Sequence, residues 1–160
     1  MALRTIRNYT DALLRKKSKP IKIFDGKLHL LLDDMLETLR SVNGLGLAAP
    51  QVGVLKRAVI IEIDDSLYEL INPELVETSG VQTRSEGCLS VPGKNGLVER
   101  PAYIKVKAQN RNGVEIFAEG EELLAVALSH ELDHLDGVLY IDRATEIFDV
   151  ENESNDEESE

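Results

Sequence analysis

The chain of 160 residues has one cysteine, Cys88, no tryptophan and only 4% aromatic residues. A lone thiol excludes an internal disulfide and predicts a reducing compartment, most simply the cytoplasm. No run approaches the ~20 consecutive apolar residues of a membrane-spanning helix. No apolar stretch follows Arg4 and Arg7, so a secretory signal is not expected. Basic charge is scarce too: 18 Lys and Arg stand against 29 Asp and Glu, a formal charge of −11. Seven of those acids, and no base, fall in residues 149–160. The acidity is therefore largely a tail property. A mildly acidic body argues against holding nucleic acid by phosphate contacts alone, which needs clustered Lys and Arg.

The composition that remains is that of a globular domain, 42% apolar and 29% charged. Residues 1–148 read as a single domain. Residues 149–160, nearly without apolar side chains, read as a disordered, solvated acidic tail. Leu28, Leu31, Leu32, Met35, Leu36 and Leu39 recur at helical spacing, so residues 27–42 are an amphipathic helix, with Gly44 just beyond its last turn. A Gly- and Pro-punctuated loop, 44–53, then leads to a β-branched strand at 58–63. Further short strands are expected at 69–71 and 75–84, and a hairpin pairs 103–109 with 114–118 about the turn Asn110-Arg-Asn-Gly113. A second helix runs from 121 to 136 and stops at Gly137. A brief strand or turn at 138–141 and a short helix near Ala144 complete the body. Short antiparallel strands around a central buried helix, without βαβ alternation, give an α+β fold.

That second helix carries unusual residues. His130-Glu-Leu-Asp-His134 is an HExxH pattern, and about 100° per residue puts His134 about 40° and Glu131 about 100° from His130. Val126, Leu123, Ala127 and Leu124 occupy the same arc, and only Glu122, Ser129 and Asp133 form a polar edge. A helix apolar almost all round is buried, and unpaired imidazoles and carboxylates cost several kcal/mol each there, roughly. A divalent cation held by two histidines one turn apart relieves that cost; a core network centred on Glu131 is the alternative. His29, near the polar edge of the first helix, reads as a solvated surface residue.

A catalytic metal site commonly takes a third protein ligand and leaves a position for water. Downstream of His134 there is no histidine, and Glu146 is the one candidate ahead of the tail. Upstream stands Cys88 within Glu86-Gly-Cys-Leu-Ser90, which reads as a thiolate ligand, a small buried hydrophobe or a nucleophile.

Three segments together, GLGLAAPQ at 44–51, EGCLS at 86–90 and HELDH at 130–134, resemble peptide deformylase, and the likeness runs from about Tyr9 to Asp142. The resemblance implies a metal-dependent hydrolase that removes the formyl group from the N-formylmethionine of newly made polypeptides and releases formate. It implies Cys88, His130 and His134 as metal ligands, with Fe(2+) as the native ion and Zn(2+), Ni(2+) or Co(2+) able to replace it. It implies Glu131 as general acid and base, and Gln51 and the Leu89 N–H as donors to the formyl oxygen. An extended peptide would lie beside Leu45 and Gly46, its methionine side chain against Leu45, Val126 and Ala127. Glu86 would pair with Arg100 and brace the cysteine loop. The implied partners are N-formylmethionyl nascent peptides and, transiently, the ribosome, with no sequence-specific nucleic acid and no membrane. The chain departs from the family at Ser129, Thr10 and Ala12, where Gln and two prolines are common. It also has no basic residue after Arg143, so ribosome docking through a basic C-terminal helix is not expected. A zinc endopeptidase with a downstream ligand is the competing function.

Overall fold

The computed structural model describes residues 2–150, so the tail from 151 onward lies outside the described residues. Helix α1 (Gly26–Ser41) is capped by Asp25, whose side chain accepts from the Leu28 N–H. It ends on Asn43, which takes the left-handed conformation (φ 53°) expected of Gly44. Gly44 serves instead as a close-approach point, because a Cβ there would come within 2.6 Å of Leu39 Cδ1.

Residues 44–53 contain more structure than a loop. Strand β1 (Gly46–Ala48) is followed by a 3-10 turn at Ala49–Val52. β1 pairs antiparallel with β2 (Ala58–Ile63), and β2 with β3 (Ser66–Ser79). β6 (Tyr103–Gln109) and β7 (Glu115–Glu121) complete a five-stranded sheet of order β1-β2-β3-β6-β7. The β2 run explains the layering. Ala58 and Ile60 face the α1 core, whereas Val59 and Ile61 face the opposite core, which includes Leu128 and Leu135. Period-two alternation of an all-apolar strand thus fills both faces.

The strands expected at 69–71 and 75–84 are organised differently. β3 is one long strand with register shifts between Ile71 and Glu74 and between Leu75 and Glu77. Asn72, at φ 51°, and Pro73 supply the break that suggested two strands. After Gly80, β4 (Gln82–Cys88) and β5 (Val91–Arg100) form a hairpin that the sequence reading did not anticipate. Its residues are mostly polar, so hydrophobic alternation is weak. β8 (Glu146–Asp149) pairs with Lys94–Leu97 to complete a second, three-stranded sheet. Asp149, assigned to the tail from sequence, is therefore strand, held also by an ion pair of 2.8 Å to Lys94.

Helix α2 (Glu122–Leu135) packs against the five-stranded sheet and ends on Gly137 (φ 75°). A Cβ at Gly137 would lie 2.4 Å from the Arg15 carbonyl oxygen, so glycine is required there twice over. The segment expected as strand or turn at 138–141 opens instead into the one-turn helix α3 (Tyr140–Arg143). Among the described residues no helix is long and apolar enough to cross a membrane.

Candidate metal centre

Two elements from distant parts of the chain meet at the site. α2 presents His130, Glu131 and His134, all at most 9% exposed. The β4–β5 hairpin delivers Cys88 where its register shifts between Glu86 and Cys88. Two apart on one strand, Glu86 and Cys88 point to the same side and address the same helix despite the shift. Gly87 permits it, since a Cβ there would fall 2.6 Å from the Asn95 side-chain oxygen.

The Cys88 sulfur lies 3.4 Å from His134 Nε2. One donor atom from each of Cys88, His130 and His134 falls within 4.8 Å of the others. Bond lengths of about 2.3 Å to sulfur and 2.0–2.1 Å to imidazole nitrogen put tetrahedral donors ~3.6 Å apart, so this donor set fits a single ion. His130 Nδ1 is 2.9 Å from Glu86 Oε1, which leaves Nε2 as that ring's remaining donor. The ring stacks on Tyr140 with centroids 6.2 Å apart.

Glu86 is held in turn by both arms of Arg100, at 2.8 and 2.9 Å. Arg100 reaches on to Asp133 at 2.7 Å and to the Ser129 hydroxyl at 3.2 Å. The narrow polar edge of α2 thus receives the guanidinium. The family resemblance implied the Glu86–Arg100 pair but not its extension to His130, Ser129 and Asp133. The signal was available in that polar edge, which a buried helix would not carry without a partner.

Electrostatics separate the groups. Burial pushes the Glu131 carboxyl up to about 7, with the His130 and Arg100 charges pulling against it. Burial drives His134 well below 6.5, and the neighbouring His130 charge adds to the effect. Burial alone would raise Glu86, but the hydrogen bonds from Arg100 and then His130 hold its carboxyl below the usual 4.5. One carboxyl is therefore a fixed anion, whereas the other is poised to exchange a proton near neutrality. Glu131 Oε1 is buried with no hydrogen-bond partner among the described residues, so no core network centred on Glu131 satisfies the histidines.

Gln51 sits on the 3-10 turn after β1. Its side-chain oxygen accepts from the Ala48 N–H at 3.0 Å. Its amide nitrogen donates to the Ser90 hydroxyl at 3.1 Å and points at the Cys88 sulfur, 3.6 Å away. Ser90, fully buried, had drawn no attention in the sequence. Leu45, Gly46, Gln51, Leu89, Val126 and Ala127 line one cavity of about 570 Å³ with His130 and Glu131. Leu45 is 46% exposed rather than packed in the core, and its carbonyl accepts from the Glu62 N–H. Glu146 stands elsewhere, exposed on β8 opposite Leu97, which removes it as a third ligand and with it the basis for a downstream-ligand endopeptidase. His29 is half-buried, not solvated, and its Nε2 meets the Arg111 carbonyl oxygen at 2.8 Å.

An HExxH helix joined to a cysteine from a neighbouring hairpin, beside an uncommitted carboxyl, defines a metal-dependent hydrolase. Comparisons with known proteins narrow that class. The family described as Polypeptide deformylase matches residues 3–149, and the chain belongs to that family. It is 56% identical over 149 residues to a peptide deformylase of Acetivibrio thermocellus, covering 93% of this chain and 88% of the relative. It is 57% identical over 143 residues to one from Caldicellulosiruptor bescii, covering 89% and 86%. The crystal structure of peptide deformylase from Thermotoga maritima superposes with a TM-score of 0.87 at 40% identity, covering 89% of this chain and 98% of that one. The enzymes of this family are metal-dependent hydrolases that remove the formyl group from N-formylmethionine of nascent peptides.

Proposed function

We propose that this chain deformylates N-formylmethionyl peptides at the site formed by Cys88, His130 and His134, with Fe(2+) as the native ion and Zn(2+), Ni(2+) or Co(2+) as substitutes. The carrying observation is the convergence of those three donors within 4.8 Å, beside a carboxyl with an unpartnered oxygen. Sulfur and imidazole donors accept several first-row metals. A divalent ion held there supplies Lewis acidity toward water and the formyl carbonyl.

The chain's own residues do the rest. Glu131, poised near neutrality, takes a proton from the attacking water and returns it to the departing amine. The Gln51 amide and the Leu89 N–H donate to the formyl oxygen as negative charge grows on it, and losing one such donor commonly costs about 10²–10³ in rate. An amide suits this position because it donates without adding negative charge. Ser90 and the Ala48 N–H hold that amide at both ends, so it needs no reorganisation. β1 is an edge strand of its sheet, and Gly46 offers its backbone to an extended peptide by strand addition beside Leu45, whose carbonyl is taken by the Glu62 N–H. The methionine side chain packs on Leu45, Val126 and Ala127.

The test is anaerobic purification with iron, or with nickel as a robust substitute, followed by measurement of formate from formyl-Met peptides. Stoichiometric formate with release of the free amine is expected. A metal-loaded sample that releases none overturns the proposal. Internal cleavage of unblocked peptides that survives Cys88→Ala would establish an endopeptidase instead.

A further inference from the structure

One wall of the metal cavity is a bulge whose support lies outside its own strand pair. β5 meets β4 at Val91 with Cys88 and again at Gly96 with Glu86, so the intervening residues 92–95 oppose the single residue Gly87. Among the described residues none of the four has a register partner on β4. All four line the cavity. Pro92 and Gly93 are exposed, and a Cβ at Gly93 would meet nothing within 4 Å among the described residues. A segment with so few contacts opens easily unless something else holds it.

Three supports reach the bulge. The Val150 N–H donates to the Gly93 carbonyl at 2.9 Å, and Asp149 holds Lys94 Nζ at 2.8 Å. Both come from β8 or the residue after it, and the four residues of β8 are all exposed. The Asp149 side chain is 85% exposed, and an ion pair in that setting contributes little. The third support differs in kind. The Tyr140 hydroxyl donates to the Lys94 carbonyl at 3.0 Å from a side chain that is 1% exposed and belongs to the core of the smaller sheet. Its ring also stacks on His130, with 21° between the planes. Gly96 leaves room for this, since a Cβ there would stand 3.2 Å from Tyr140 Cε2. One buried side chain therefore touches both a ligand residue of the candidate metal centre and the wall of the cavity.

We propose that Tyr140 is a positioning residue whose hydroxyl fixes residues 92–95 as the wall for the part of the peptide beyond its formylmethionine. The proposal deepens the deformylase reading and rests on it. Lys94 stands three residues past Val91, the partner of Cys88, so roughly 10 Å of chain separates it from the metal end. An extended peptide advances about 3.3 Å per residue; its third residue reaches the bulge, whereas formylmethionine alone does not. Without the hydroxyl the inward-facing Lys94 carbonyl loses its donor, and an unsatisfied acceptor drives the segment to rearrange toward water. None of Cys88, His134, Glu131 and Gln51 hydrogen-bonds to that hydroxyl, so the loss falls on binding of longer peptides and not on the chemical step.

The experiment compares Tyr140→Phe with the parent, both full-length and metal-loaded, on formyl-Met amide and on formyl-Met-Ala-Ala-Ala. KM for the longer peptide should rise about three- to tenfold, the weight of one hydrogen bond. Its kcat, and KM for the amide, should stay within about twofold, because the retained ring still packs on His130. Tyr103→Phe, which takes a phenol oxygen from its pair with Glu119 on the larger sheet, should match the parent on both substrates. Hydrogen exchange followed by mass spectrometry, with no substrate present, should accelerate at residues 92–96 in Tyr140→Phe. An unchanged KM for the longer peptide, or an equal rise for both substrates, overturns the proposal. Unchanged exchange at 92–96 does so too. Loss of metal from Tyr140→Phe would make the residue a support for His130 rather than for the wall, and also overturns it. Absence of formate from the parent refutes the deformylase reading, and the exchange result then still decides whether the hydroxyl holds the wall.

Discussion

Replacing Gly46 with alanine tests the proton-transfer role without touching a titratable group. Gly46 lies in β1, outside the positive-φ region, so its backbone accepts a side chain without strain. The space does not. An added Cβ would stand 2.7 Å from Glu131 Oε2 and 3.1 Å from both Cδ and Cγ of the same side chain. Carbon and oxygen need about 3.4 Å or more for ordinary contact, so the Glu131 carboxyl must retreat by the better part of an ångström. A displacement of that size at a reacting group costs on the order of 10² in rate, and complete loss of general acid–base help costs about 10²–10⁴. Gly46→Ala should therefore lower kcat for formate release by about a hundredfold. Metal content and Tm should stay near parental values, because neither the three donors nor a core side chain is altered. Formate release, metal analysis and thermal unfolding on one preparation check all three. A metal-loaded variant within threefold of parental kcat would refute the idea that the Glu131 position is set by contact with the β1 backbone.

Other perturbations separate the cation's inner and outer supports. Cys88→Ala removes one of three protein donors, so bound metal and turnover should fall together, by more than the ~10–100-fold that losing an outer partner costs; retained metal at full stoichiometry would contradict the donor assignment. Glu86→Gln leaves the donors but deprives His130 Nδ1 and buried Arg100 of their shared anion. Metal affinity should drop about 10–100-fold and stability by about 3–5 kcal/mol, read by competition with a chelator and by urea unfolding. On α1, the Ala2 N–H and then Arg4 hold the Asp34 carboxyl below its ordinary 3.8 against the effect of burial. A depressed carboxyl contributes stability that is complete above its unfolded value and is lost as pH falls through the lower folded value. The Tm difference between parent and Asp34→Asn should therefore shrink below about pH 3.9, and a constant difference from pH 5 to pH 2 would exclude the linkage.

How legible the molecule was depended on the strength of its periodicity. α1, α2, β2 and the β6–β7 hairpin were readable because apolar spacing or turn chemistry marks them over many residues. β4, β5 and β8 were not, since Gln82–Cys88 and Val91–Arg100 are largely polar and owe their pairing to each other rather than to one buried face. β1, at three residues, is too short to carry a period at all. Within the site, residue types and spacing pointed to His130, His134 and Glu131 and left Cys88 as one candidate, and the resemblance to peptide deformylase added Gln51 and the ligand role of Cys88. What linked them did not show. Ser90 meets Gln51 across 39 positions, and Glu86 meets His130 across 44, contacts created by packing and invisible to local pattern. Asp133 was seen as polar edge, but its meaning needed Arg100 beside it.

The candidate cation site is also a junction between the two sheets, which predicts where the protein loosens if its metal is removed. Cys88 and Glu86 belong to the three-stranded sheet, whereas His130 and His134 ride on a helix seated against the five-stranded one. The core of the smaller sheet is slight: Val91, Val98 and Tyr140 are its buried apolar members. A few apolar contacts cannot resist local opening as the larger cores do, so polar links across the junction matter more here. The Glu86–Arg100–Asp133 chain uses none of the three donors, but on chelation the cysteine and the two rings would lose their common partner. A ligand bound only by the closed arrangement stabilises it by mass action. Chelation should therefore accelerate hydrogen exchange in residues 86–91 far more than in β2 or α1, whose cores lie wholly within the larger sheet's packing. Exchange measured by mass spectrometry on loaded and chelated protein distinguishes the cases. Uniform acceleration across all segments would mean the cation supports the whole fold, and no change at 86–91 would mean that the hairpin is anchored without it.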